Sequence, residues 1–277
     1  MKISVKRRIN KTILVIGISI VALVYLFPIF EMVSTSLKFD VDAFAIPPKW
    51  IFTPTFENYI AVITGNNFGR YFINSLIVAL SSTFFSVIIG ALAAYSFARF
   101  KYKGKRFVII ITLLLRMIPP VILVIPIFVI WNSIGMADTR LGLVLVYIAL
   151  NLPFNIWVLK TFISEIPYSL DESAIIDGCS DWVVFTRIIL PLIAPGIAVA
   201  GIFTFRISWN EFILSLVLTN RFTRTLPVAV SLFLTDAGTE WGKITAIATI
   251  IAIPALIFTF TAAKSLIMGM TAGAVKG

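Results

Sequence analysis

Charged and amide side chains inside an otherwise apolar chain are the candidate chemistry of this sequence. Five acids fall in one stretch between residues 163 and 191: Glu165, Asp171, Glu172, Asp177 and Asp181. Arg116 follows the apolar run 107–115, and Arg206 follows 200–205. At bilayer depth each such charge costs roughly 2.5–3.5 kcal/mol on insertion scales, so each needs a compensating role. Asn210 lies one turn beyond Arg206 and shares its face, and Glu211 comes next. Asn151 and Asn155 share another face, with Pro153 between them. Groups of this kind can line a polar pathway. They can equally join helices by hydrogen bonds worth about 1 kcal/mol each. For Arg116, Asn151, Asn155, Arg206 and Asn210 both readings stand.

Residue usage excludes several other chemistries. There is no His and one Cys, Cys179, so the usual zinc and haem ligand sets and an internal disulfide are excluded. No nucleophile–base pair suggests an enzyme. No G-x-x-x-x-G-K-[ST] run occurs, so a phosphate cradle for ATP has to come from another chain. No cofactor is expected. An autonomous ion-coupled transporter would need acids within its spans, and Glu31 and Glu211 lie towards span ends.

The elements that position these groups follow from composition. Of 277 residues 59% are hydrophobic, too many for a water-soluble surface to cover. A span takes about 20 apolar residues. Stretches 12–37, 71–98, 107–131, 141–162, 192–218 and 244–268 qualify, predicting an all-α polytopic membrane protein of about six transmembrane helices. Lys2, Lys6, Arg7, Arg8 and Lys11 precede the first stretch, which is too long for a signal peptide and is expected to stay uncleaved.

The net charge of +10 sits in short clusters beside apolar spans, which is a topology signal rather than a nucleic-acid one. The N-terminal cluster and Arg99, Lys101, Lys103, Lys105 and Arg106 fall on one side. Both termini are therefore predicted to be cytoplasmic. The opposite loop, 38–70, carries Pro47, Pro48, Trp50, Phe52, Pro54, Phe56 and Tyr59, and suits the membrane interface or an external partner. Trp131, Trp209 and Trp241 are read as interface anchors.

The acidic loop lies on the positive side, where the orientation rule does not predict acids. Ser169 and Glu172 have capping-box spacing, and Asp171 and Glu172 sit in a first turn. Gly178 is placed to stop that helix in a left-handed conformation. Ser180 or Asp181 then caps a second helix, closed at Leu190-Pro191. Leu170, Ala174 and Ile175 give the first helix an apolar face. Asp177, at its C-terminus, is poorly placed for the dipole and suggests a compensating protein partner.

Residues Glu172-Ser173-Ala174, then Asp177-Gly178, then Ile188-Ile189-Leu190-Pro191 with Pro195 beyond, resemble the shared loop of the permease subunits of ATP-binding-cassette importers. Ser173 departs from the usual Ala, and Cys179 stands where sugar-type members often have Ala; both are small. The likeness continues through Asn74-Ser75, Ala93-Ala94-Tyr95 to Arg99, Arg116-Met117-Ile118-Pro119-Pro120, Trp209-Asn210-Glu211 and the tail Thr271-Ala272-Gly273-Ala274-Val275-Lys276-Gly277. It is similar to the maltose-type carbohydrate permeases, on the side of the partner that ends shortly after its last span.

The resemblance implies a single transmembrane permease domain over 1–277. Its parts would be a cytoplasmic N-terminus 1–11, a core 70–268, a coupling loop 163–191 between the fourth and fifth helices, and a tail 269–277 that touches the ATPase. It implies a prokaryotic inner-membrane complex with a second permease subunit, two copies of an ATP-binding subunit and an extracytoplasmic solute-binding protein. This chain would itself be non-catalytic. Glu172, Ser173, Ala174, Asp177, Gly178, Leu190 and Pro191 would then couple to the ATPase. Arg116, Asn151, Asn155, Arg206 and Asn210 would face sugar hydroxyls. Another polar solute, such as glycerol phosphate, is the alternative. Glu172 and Gly178 also have purely local reasons to be present, as cap and helix stop.

Overall fold

The computed structural model describes residues 2–274 apart from 66, 236 and 237, and side chains from 11 to 261 apart from 66 and 235–238. The expected contact of the tail with an ATPase therefore falls outside the described side chains. Apart from the single turns Asp40–Ala43 and Val230–Phe233, the described helices are α1 (Lys2–Ser36), α2 (Glu57–Thr64), α3 (Phe68–Arg99), α4 (Lys105–Met117), α5 (Pro120–Ser133), α6 (Arg140–Glu165), α7 (Ser169–Ile176), α8 (Asp181–Leu192), α9 (Ala194–Trp209), α10 (Ile213–Leu218), α11 (Leu226–Ala229) and α12 (Trp241–Ala274). A two-residue antiparallel pair, Leu234–Thr235 with Gly238–Thr239, precedes α12.

Four of the helices are long and apolar enough to cross a membrane, and the number rises to six when each of two bent pairs counts as one span. The expected span 107–131 is such a pair: α4 and α5 meet at 100°. Pro119 drives Ile118 out of helical angles, to φ −75 and ψ 119, and Pro120 then starts α5 at a position that needs no N–H partner. The expected span 192–218 is also interrupted. α8 continues through Pro191 to Leu192 and meets α9 at 75°, with Pro195 in the first turn of α9. The expected stop at Leu190-Pro191 is thus displaced to Ile193. Residues Val184–Ile189 form a widened π turn, which makes room for the Pro191 ring over the turn before it.

The chain divides into two compact units. One comprises Met1–Phe68 with Val230–Ala252, the other Gly69–Ala229 with Ile253–Gly277. In the first, buried Asn58 donates to the carbonyls of Ser36 (3.1 Å) and Lys38 (2.9 Å), tying α2 to the end of α1. Gly242 is needed beside it, because a Cβ there would lie 2.6 Å from the Asn58 amide. Trp50 folds back against Phe27, ring centroids 6.0 Å apart.

The second unit is organised by a polar seam within apolar packing. Ser82, Ser86, Gly90 and Ala94 recur every fourth residue on one face of α3, all of them buried. Asn155 of α6 donates to the Ser86 hydroxyl at 2.7 Å and accepts from Thr204 of α9 at 2.9 Å. Asn151 donates to the Tyr147 carbonyl and to Ser208 of α9, and Ser82 also donates to Ser208. Gly90 permits the close approach of the α3 and α6 backbones, since a Cβ there would lie 2.7 Å from the Asn155 Cβ. Small residues and shared hydrogen bonds of this kind join helices where water provides no driving force. Trp209 is 1% exposed and packs on Phe205 and Phe72, so it belongs to the core rather than to an interface belt.

Candidate functional site

The charged loop forms the expected helix–turn–helix, with different contacts at its start. Tyr168, at φ −64 and ψ −23, is already helical, so Ser169 lies inside α7 and cannot cap it. The amide of Glu172 bonds the Tyr168 carbonyl instead, and no capping box forms. The Ser169 carbonyl accepts from the Ser173 hydroxyl at 2.8 Å. At the other end, the amide of Gly178 bonds the Ile175 carbonyl and that of Cys179 bonds the Ala174 carbonyl. With Gly178 at φ +84 this is a Schellman stop, as its position predicts. Ser180 receives α8 through its carbonyl, not its hydroxyl.

The inward face of α7 is Asp171 and Ala174. Leu170, Ile175 and Ile176 are 44%, 49% and 84% exposed, so the expected apolar face does not turn inward as a whole. Glu172, Ser173, Asp177 and Gly178 are exposed, Ala174 is buried, Leu190 is half-buried and Pro191 is exposed. Acids and apolar side chains together therefore form a free outer surface on a helix too short to span a bilayer.

Asp171, for which the sequence offers only the helix dipole, gains a second reason in the fold. It pairs with Arg99, the last residue of α3, and the two side chains are 4% and 8% exposed. Burial pushes the Asp171 carboxyl above the ordinary carboxylate range; the Arg99 guanidinium draws it down, while Asp181 and Glu172 add to the rise. Arg99 also donates to the Ile166 carbonyl at 3.1 Å and lies over the Tyr168 ring at 5.7 Å. The signal in the sequence was a cation closing a span in reach of a loop with surplus acids.

Of the intramembrane candidates, the structure separates two groups. Asn151 and Asn155 are 3% and 0% exposed and are engaged in the seam between α3, α6 and α9, with no surface to offer a solute. Arg116, Arg206 and Asn210 are exposed. Arg116 lies 4.5 Å over the ring of Phe154, Phe154 meets Phe203 edge-on at 5.5 Å, and Arg206 lies 5.7 Å from Phe203. A strip results in which two cations flank two aromatic rings. Among the described residues neither arginine forms an ion pair. Glu211, five residues from Arg206, is taken up elsewhere by Tyr147 and the first amides of α10. Asn210 donates back to the Arg206 carbonyl at 2.8 Å. Such a strip can stack a ring and donate several hydrogen bonds to it.

The chain is similar to known proteins over most of its length. Residues 86–269 match the model of the family described as binding-protein-dependent transport system inner membrane component. The chain is 37% identical to the trehalose transport system permease protein SugB of Mycobacterium tuberculosis, over 95% of both chains. It is 36% identical to the trehalose/maltose transport system permease protein MalG of Thermococcus litoralis, covering 97% of this chain and 98% of that one. Among solved structures, a bacterial ABC transporter involved in import of the acidic polysaccharide alginate superposes with a TM-score of 0.76 at 20% identity, over 93% of this chain and 96% of that one.

Proposed function

Because the chain belongs to the family of binding-protein-dependent transport system inner membrane components, we propose that it is the membrane-spanning half of an ATP-driven sugar or oligosaccharide importer. It works as one permease domain, without catalytic activity of its own, and ATP is hydrolysed by a separate subunit. A second permease completes the pathway, two ATP-binding subunits dock on the cytoplasmic side, and an extracytoplasmic binding protein delivers the solute. Both termini are cytoplasmic.

The observation that carries this reading is the outer face of α7 and its turn. Glu172, Ser173, Asp177 and Gly178 present an exposed surface together with apolar Ile175 and Ile176, outside the spans and backed by a buried ion pair. Ala174, Leu190 and Pro191 support that surface from behind and from the end of α8. The solute passes along Arg116, Phe154, Phe203, Arg206 and Asn210, while Asn151 and Asn155 hold the helices that carry them.

The relatives' names point to trehalose and maltose as first solutes to try. A phosphate-bearing solute such as glycerol phosphate is the second reading, favoured by two arginines without acidic partners. Affinity purification from the native membrane tests the reading. An ATP-binding subunit, a second permease and a binding protein should copurify, and the binding protein should bind one of these solutes. Solute uptake by the purified chain alone would overturn it.

A further inference from the structure

The grip of α3 on the charged loop goes beyond docking and rests on the transport reading above. One turn before Arg99 and on the same face, Tyr95 meets Phe185 of α8 at 5.0 Å. The last two turns of α3 thus hold both loop helices, Asp171 of α7 through Arg99 and Phe185 of α8 through Tyr95. Near its other end, α3 holds a second loop. Asn74, fully buried, donates to the carbonyls of Phe222 and Arg224, both at 2.9 Å, and the Ser75 hydroxyl accepts from the Leu226 amide at 2.6 Å. From Asn74 to Arg99 the helix runs about 37 Å at 1.5 Å per residue, enough to cross a bilayer.

We infer that Arg99 and Asp171 are a positioning pair that makes α3 travel with the coupling helix and carry its displacement to the loop 222–226 on the far side. Stability alone does not account for the pair. A buried ion pair is often no more stabilising than apolar side chains of the same volume, and its attested use is to fix one geometry. Arg99 fixes three groups at once, the Ile166 carbonyl, the Tyr168 ring and the Asp171 carboxylate, and so sets the corner between α6 and α7. Without it, α7 could move on its ATPase while α3 stayed behind.

The test uses the assembled complex in proteoliposomes, with spin labels at Phe100→Cys and Ser169→Cys in a Cys179→Ser background. Label separation should stay constant between the nucleotide-free and the ATP–vanadate states. With Arg99→Gln or Asp171→Asn it should change between those states. Trehalose or maltose taken up per ATP hydrolysed should fall by roughly tenfold, within the usual range of coupling between sites, while hydrolysis continues. Arg99→Lys, which keeps the charge, should recover most of the loss. Should Arg99→Gln fail to assemble, the nearly isosteric Asp171→Asn carries the test. Unchanged separation and unchanged uptake per ATP in an assembled variant would overturn the inference. No uptake by the unaltered complex, with labels that still respond as described, would overturn the transport reading and leave the pair standing.

Discussion

Tyr147 donates its hydroxyl to Glu211 at 2.7 Å, and the same carboxylate accepts the amides of Leu214 at 2.9 Å and Ser215 at 3.0 Å. An acid near the end of the bent span is thus the N-terminal anchor of α10, where orphan amides and the helix dipole favour an anion. Glu211→Ala should lower stability by about 1–2 kcal/mol, as loss of a cap does. Tyr147→Phe should cost less, because the two amides still hold the carboxylate. Thermal unfolding of the detergent-solubilised chain would show the order, and a larger loss for Tyr147→Phe would contradict it.

Gly178 stops α7 at φ +84, a conformation that costs a side-chain-bearing residue about 1–2 kcal/mol. Gly178→Pro or a bulky replacement should leave ATP hydrolysis but reduce solute uptake, because the outer face of α7 depends on where the helix ends. An assembled Gly178→Pro complex with unchanged uptake per ATP would rule this out.

Gly90 and Gly201 give a matched pair. A Cβ at Gly90 would lie 2.7 Å from that of Asn155, whereas one at Gly201 meets nothing nearer than Thr83 at 4.0 Å. Gly90→Ala should therefore destabilise by about 1–3 kcal/mol through overpacking. Gly201→Ala should be neutral or slightly stabilising, since alanine favours helix. Differential scanning fluorimetry of the two variants side by side distinguishes them; equal melting temperatures would refute the close-approach account.

Arg116→Gln and Arg206→Gln should reduce solute uptake and raise its KM, with assembly and basal ATP hydrolysis intact. Arg116 lies over the half-buried ring of Phe154 and Arg206 near the exposed ring of Phe203, and both guanidinium groups are outside the packed seam. Asn155→Ala should do the reverse, lowering stability first, because Ser86 and Thr204 both lose a buried partner. Normal uptake in both arginine variants would remove the strip from the pathway.

Asp171 gives a pH prediction whose sign is fixed by its raised carboxyl. The folded chain holds that proton more tightly than the unfolded one, so this group's contribution to stability is full below the ordinary carboxylate value and is lost as pH rises through the raised one. Protonation also discharges the pair with Arg99. Uptake per ATP should therefore fall as pH drops through the raised value, with no matching loss of melting temperature from this group, and Asp171→Asn should flatten that profile. A profile with the same acid limb in Asp171→Asn would assign the titration to another group.

Much of this architecture was legible in the chain. Six apolar stretches, the paired loop helices and the Gly178 stop follow from length, periodicity and one glycine. The bends were not. Pro119 and Pro195 are tolerable inside a membrane helix, and nothing local decides between a kink and a corner of 100° or 75°. For Asp171 the helix dipole is a sufficient local reason for an acid in a first turn, and its partner Arg99 lies on another helix. The same limit applies to Asn151 and Asn155. Their shared face was visible, but their partners Ser86, Thr204 and Ser208 come from α3 and α9. The inward turn of α7 could not be read from its apolar residues, since Arg99 draws the acid inward and leaves Ile175 and Ile176 outside.

The segment Lys11–Ser36 has none of its most apolar window buried inside the chain. During synthesis this helix is complete before the spans that follow it, and it needs none of them to satisfy its backbone. It can therefore enter the bilayer ahead of the spans that follow it, without waiting for a partner helix.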